Sequence, residues 1–106
     1  MPFVTDPASP SFLAELDGFL RNRLVERPEG SYSTRLLTEP TLVQRKIMEE
    51  AFEVCLELGA APVDRQRTAE EAADLVFHLM CGLVGAGVSW AEVEGVLAGR
   101  HAGSGQ

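Results

Sequence analysis

Between Glu71 and Val84 the sequence writes a helix that is apolar almost all round: Leu75, Val76, Phe77, Leu79, Met80, Cys81, Leu83 and Val84 occupy most of its positions. On one face of that helix stand Glu71, Asp74 and His78, at i, i+3 and i+7. An isolated carboxylate in apolar surroundings costs on the order of several kcal/mol, so these acids must reach water at an edge, take up a proton or meet a cation. A helix apolar on every side is also hard to bury inside one domain of 106 residues, so the same stretch predicts a homo-oligomer, most simply a dimer.

A second acidic stretch precedes it. At about 100° per residue, Lys46, Glu49, Glu50, Glu53 and Glu57 share one arc of a helix, while Ile47, Ala51, Val54 and Leu58 line the other side as a core face. Like charges four residues apart repel by about 0.2–0.5 kcal/mol per pair, and on this arc only Lys46 relieves them. A divalent ion is the simplest cation that satisfies four acids on two helices together. Hard oxygen donors without Cys or paired His favour Mg²⁺ or Mn²⁺ over zinc.

Capping signals place these stretches in an all-α, four-helix bundle with helices at about 10–27, 41–58, 68–86 and 89–100. Residues 1–8 carry two prolines and no periodicity and read as a loose arm, residues 9–100 as the single domain, and residues 101–106 as a disordered tail. Ser9 or Ser11 caps the first helix, with Pro10 tolerated in its first turn. The apolar spacing of Phe12, Leu13, Leu16, Phe19, Leu20 and Leu24 then carries that helix to Pro28-Glu29-Gly30. Ser31 to Leu37 is short and polar at its start and reads as a loop or a single turn. Thr41 with Gln44, Thr68 with Glu71 and Ser89 with Glu92 form capping boxes, although Thr38 with Pro40 starts the second helix equally well. The middle box leaves a second reading open for Glu71, as a group that satisfies a backbone donor at a helix start. No strand signal or internal repeat is present.

Charge and cysteine usage narrow the partners. A net charge of -7 with nine scattered Lys and Arg excludes a nucleic-acid backbone or an anionic membrane, whereas an anionic small ligand remains open if a metal mediates. Cys55 and Cys81 sit among apolar residues and are expected to be buried, reduced thiols. The start lacks a basic and an apolar region of the signal-peptide kind, and the apolar run from Leu75 to Val88 is too short to span a bilayer, so a cytoplasmic location is expected. A ferritin-like di-iron bundle would require Glu-x-x-His, but Leu75 stands three residues before His78.

Three segments together resemble a known pattern: Ser31, Tyr32, Arg35, Leu36 and Leu37; then Lys46, Glu49, Glu50, Glu53 and Val54; then Glu71, Ala72, Ala73, Asp74, Leu75, Phe77, His78 and Leu79. The acids resemble those of the all-α nucleotide pyrophosphohydrolases, the group of MazG proteins and dimeric dUTPases. The Ser-Tyr segment and the Ala-Asp-Leu-x-x-His run narrow the resemblance to the phosphoribosyl-ATP pyrophosphohydrolase family, from Phe12 to about Arg100. Thr38-Glu39-Pro40 replaces the Gly and further Lys usual there, and Met48 replaces a small residue.

The resemblance implies Mg²⁺-dependent hydrolysis of phosphoribosyl-ATP to phosphoribosyl-AMP and pyrophosphate in histidine biosynthesis. It implies Glu50, Glu53, Glu71 and Asp74 as metal ligands, and Glu49 with Glu50 as catalytic acids, Glu49 holding a second ion or orienting the attacking water. Lys46, Arg35, Tyr32 and His78 would be substrate contacts, although a helix-surface ion pair for Lys46 and a core hydrogen bond for His78 serve equally well. Cleaning of the (d)NTP pool by a MazG-like pyrophosphohydrolase, or a non-catalytic dimerisation module, are the alternatives.

Overall fold

Four of the five described helices begin behind a side chain that takes up one of their first backbone donors. The computed structural model describes residues 11–104. Helix α1 (Phe12–Glu26) starts behind Ser11, whose Oγ accepts the Ala14 N–H at 3.2 Å. It ends at Arg27, in the left-handed region at φ 48°, whose N–H returns to the Arg23 carbonyl. Ser9, Pro10 and the arm over 1–8 lie outside the described residues, as do residues 105–106.

The segment expected as a loop or single turn is a two-turn helix, α2 (Tyr32–Thr38), capped by Ser31 through the Thr34 N–H at 3.3 Å. Burial decides this, because Leu36 and Leu37 are 1% and 5% exposed and tertiary packing supplies what a seven-residue helix lacks by itself. The chain therefore has five helices rather than four among the described residues.

Helix α3 (Pro40–Leu58) opens on Pro40 with Glu39 as an N-cap that makes no side-chain cap bond, so the Thr41–Gln44 box is not its start. Helix α4 (Arg65–Gly85) begins three residues before Thr68. The Asp64 carboxylate accepts the Arg67 N–H at 3.0 Å, and the Thr68 hydroxyl donates to the Asp64 carbonyl at 2.6 Å. Glu71 consequently lies in the body of α4, which removes the cap reading for it. Helix α5 (Trp90–Ser104) uses the expected box: Ser89 N–H donates to Glu92 at 2.8 Å and Glu92 N–H to Ser89 Oγ at 3.2 Å. It runs through Ser104, beyond the end expected near Arg100.

Helices α3 and α4 are the central antiparallel pair, tied by Glu57 to Arg67 near the loop and by Val43 and Ile47 against Gly82 at the far end. Helix α2 crosses this pair so closely that a Cβ at Gly85 would run into the Leu37 carbonyl oxygen. The core gathers Leu20, Leu36, Leu37, Val43, Met80 and Val84. Buried Asp17 of α1 accepts the Trp90 N–H at 3.1 Å and holds Arg21 at 2.8 Å, so α1 caps α5 across the fold.

Two burial expectations change. Cys81 is buried, with its thiol pushed up to about 12 by desolvation, but Cys55 is exposed. On α3 the expected core face is only partly buried, with Leu58 62% exposed, and Met48, Phe52 and Leu56 form a further apolar stripe that faces outward. Among the described residues no single helix is long and apolar enough to cross a membrane.

Candidate metal and nucleotide site

The antiparallel crossing of α3 and α4 brings their acids together because both helices carry them at i, i+3 spacing on the facing edge. One carboxylate oxygen from each of Glu50, Glu53 and Glu71 lies within 4.8 Å of the others. Glu50 is buried, Glu71 half-buried and Glu53 exposed, so the group runs from the core to the surface. Asp74, one turn beyond Glu71, is exposed, and its charge helps to push the Glu71 carboxyl up.

This group is under-satisfied. Oε2 of Glu50 and Oε2 of Glu71 are both shielded from solvent and find no hydrogen-bond donor. The Glu71 carboxyl is held above the usual carboxylate range. A side-chain hydrogen bond to Glu53 is the main cause, followed by desolvation and then by the charges of Glu53, Asp74 and Glu50. Oxygen atoms converging without donors are what a hard divalent cation requires, so the residues present fit such an ion. Glu57 does not join them, because Arg67 takes its carboxylate at 2.7 Å and closes that end of the acidic edge. No sequence signal announced this pair, whose partners lie on different helices.

The other expected site residues divide into two groups. Glu49 stands apart from the cluster and faces cations, at 3.3 Å from Lys46 Nζ and 3.7 Å from Arg45 Nε. Lys46 is held above its ordinary value first by the Glu49 hydrogen bond, then by that carboxylate's charge, with smaller pulls from Tyr32 and Glu50. Arg35 is exposed and paired with Glu39 at 3.0 Å. Tyr32 and His78, 46 residues apart, meet: the Tyr32 hydroxyl lies 3.0 Å from His78 Nε2, and His78 Nδ1 lies 2.7 Å from the Asp74 carbonyl oxygen. His78 is 7% exposed, and both of its ring nitrogens are taken by the protein.

The family model described as phosphoribosyl-ATP pyrophosphohydrolase matches residues 13–101, a span that contains every acid of the cluster together with Tyr32 and His78. The chain belongs to the phosphoribosyl-ATP pyrophosphohydrolase family. It is similar to the phosphoribosyl-ATP pyrophosphatase of Metallosphaera sedula, 40% identical over 83% of this chain and 94% of that one. It is also similar to the enzyme of the same name from Methylobacterium nodulans, 37% identical over 88% of this chain and 86% of that one. Longer relatives match in part. The histidine biosynthesis bifunctional protein HisIE of Deinococcus radiodurans is 46% identical over 81% of this chain, which spans 39% of its length. The chain spans 9% of the trifunctional histidine biosynthesis protein of Neurospora crassa.

Proposed function

We propose that this chain hydrolyses phosphoribosyl-ATP to phosphoribosyl-AMP and pyrophosphate in histidine biosynthesis, as a cytoplasmic homodimer that uses Mg²⁺, with Mn²⁺ as a substitute. The observation that carries the reading is the pair of shielded, donorless oxygens on Glu50 and Glu71 beside Glu53, in a chain whose family acts on this nucleotide. Glu50, Glu53, Glu71 and Asp74 would hold the ion. When bound, the ion supplies charge compensation for the triphosphate and raises the acidity of water at the site.

The protein's own residues do the rest by position. Lys46, half-shielded and fixed by Glu49, presents one cation at the edge of the acids, where a phosphate chain would otherwise be repelled. Glu49 thus orients Lys46, and as a further acid beside Glu50 it would hold a second ion or orient the attacking water. Water adds to the α phosphorus as the bond to the bridging α–β oxygen breaks; phosphoribosyl-AMP and pyrophosphate leave, and the water's proton passes to a carboxylate of the cluster and on to solvent. The dimer is supported by the outward stripe of Met48, Phe52 and Leu56, which are 67%, 64% and 57% exposed. The Cα radius of gyration of 15.4 Å points the same way, against about 13 Å for a compact domain of this length.

The test is pyrophosphate release from phosphoribosyl-ATP with and without Mg²⁺, beside a panel of NTPs and dNTPs. Ion-dependent release from phosphoribosyl-ATP is expected. Release from dNTPs or NTPs alone would transfer the same site to nucleotide-pool cleaning, and no release at all would leave a dimerisation module. Glu50→Gln and Asp74→Asn are each expected to abolish turnover while the helical circular-dichroism signal persists; activity retained in both would remove the ion assignment.

A further inference from the structure

The acidic edge carries a cation at each of its ends. On α3, Lys46, Glu50, Glu53 and Glu57 stand at i, i+4, i+7 and i+11; on α4, Arg67, Glu71, Asp74 and His78 repeat that spacing. Each set therefore lies on one helix face. Because the two helices run antiparallel, Lys46 falls toward the end where Tyr32 meets His78, Arg67 falls beside Glu57, and the acids lie between them. At about 1.5 Å per residue, Lys46 and Glu57 are about 16 Å apart along α3.

Arg67 is anchored at one nitrogen and open at the others. Its Nε donates to Glu57 Oε2 at 2.7 Å, and the Glu57 side chain is 15% exposed against 63% for Arg67. The shielded carboxylate is the anchor, and the guanidinium is a head that meets water. Its terminal nitrogens make no hydrogen bond among the described residues, and a guanidinium presents them as a fork matched to two phosphate oxygens. Glu71, one turn along α4, also acts on Arg67 electrostatically, so the fork stands against the acid cluster and not on remote surface.

The two ends differ in what else they offer. Beside Lys46 stands the Tyr32 ring, 46% exposed, an aromatic face against which a nucleoside packs. Around Arg67, the exposed residues Arg65, Gln66 and Glu70 supply polar groups and no such face. A nucleotide laid along the seam therefore puts its nucleoside toward Tyr32 and the far end of its phosphate chain toward Arg67.

Resting on the phosphoribosyl-ATP reading, we propose that Arg67 is a catalytic contact for the leaving pyrophosphate and that Glu57 is its positioning residue. As the bond from the α phosphorus to the bridging oxygen breaks, the electron pair stays on that oxygen and the pyrophosphate gains negative charge. An anchored guanidinium at that end stabilises the charge where it forms.

The experiment uses the full chain and two readouts: calorimetric binding of inorganic pyrophosphate with Mg²⁺ present, and steady-state turnover of phosphoribosyl-ATP with inhibition by each product. Arg67→Gln removes the charge and the fork. It is expected to weaken pyrophosphate binding about tenfold or more and to lower kcat about tenfold, with inhibition by phosphoribosyl-AMP within about twofold of the parent. Arg67→Lys keeps the charge without the fork and should fall between. Glu57→Gln loosens the anchor and should weaken pyrophosphate binding about threefold. Lys46→Gln, at the other end, should weaken inhibition by phosphoribosyl-AMP more than by pyrophosphate. Arg67→Gln protein that binds pyrophosphate as tightly as the parent, even with a lowered Tm, would leave Arg67 as a tie between helices and overturn the assignment. Equal weakening of both products would do the same, because a change in general charge acts on both. Wild-type protein without phosphoribosyl-ATP turnover would overturn the functional reading and this inference with it.

Discussion

Glu71 shows how one side chain registers its surroundings. Its carboxyl is held above the usual range by a side-chain hydrogen bond to Glu53, by burial and by the charges of Glu53, Asp74 and Glu50. A raised folded-state value means that the folded, ion-free chain binds this proton more tightly than the unfolded chain does. The resulting destabilisation is absent below the ordinary carboxylate value of about 4.3, grows as pH rises and is complete above the raised value. Glu71→Gln should therefore raise Tm in chelator near neutral pH, with an advantage that shrinks as the pH is lowered to about 4. Mg²⁺ or Mn²⁺ should raise the Tm of the parent more than that of the variant. A Tm difference independent of pH would show that Glu71 is not strained by its neighbours. Motif spacing alone made Glu71 a candidate, but the competing cap role was equally consistent with Thr68 and was decided by Asp64, which starts α4 earlier.

The helices respond to one substitution in opposite ways. Gly85 closes α4 against α2, where a Cβ would meet the Leu37 carbonyl oxygen; Gly95 in α5 has no heavy atom within 4 Å of that position. Gly85→Ala should destabilise by about 1–3 kcal/mol through overpacking. Gly95→Ala should stabilise by up to about 1 kcal/mol through helix propensity. Chemical denaturation of both variants checks this pair, and two changes of the same sign would contradict the close α2–α4 crossing. Helix α2 itself was hidden from a sequence reading because its polar start and seven residues carry no helical period of their own. Its stability is borrowed from Leu36 and Leu37 in the core.

At the scale of the molecule, the unsatisfied element is the outer face of α3. Met48, Phe52 and Leu56 recur at i, i+4 and i+8, and Cys55 is exposed between them. Phe52→Glu should convert the proposed dimer to monomer in analytical ultracentrifugation with helical content unchanged. A variant that remains dimeric would place the interface elsewhere. The sequence pointed to oligomerisation through the all-round apolarity of α4, but the exposed apolar stripe of Met48, Phe52 and Leu56 lies on α3. The C-terminal half of α4 is instead absorbed by α2 and α3, with His78, Met80, Cys81 and Val84 buried.

What the sequence determined by itself was helix periodicity, most helix limits, the acid spacing and the family, because each of these is carried by residues within a few positions of one another. The Ser89–Glu92 box is an instance: both partners and both hydrogen bonds lie within one turn. The family resemblance already implied that Glu50, Glu53 and Glu71 meet, and the tertiary structure alone decided that Asp17 caps α5, that Glu57 is taken by Arg67 and that Tyr32 reaches His78. Those contacts depend on how α3 crosses α4 and how α1 and α2 lie across them, and no local pattern of charge or apolarity encodes the register of a crossing.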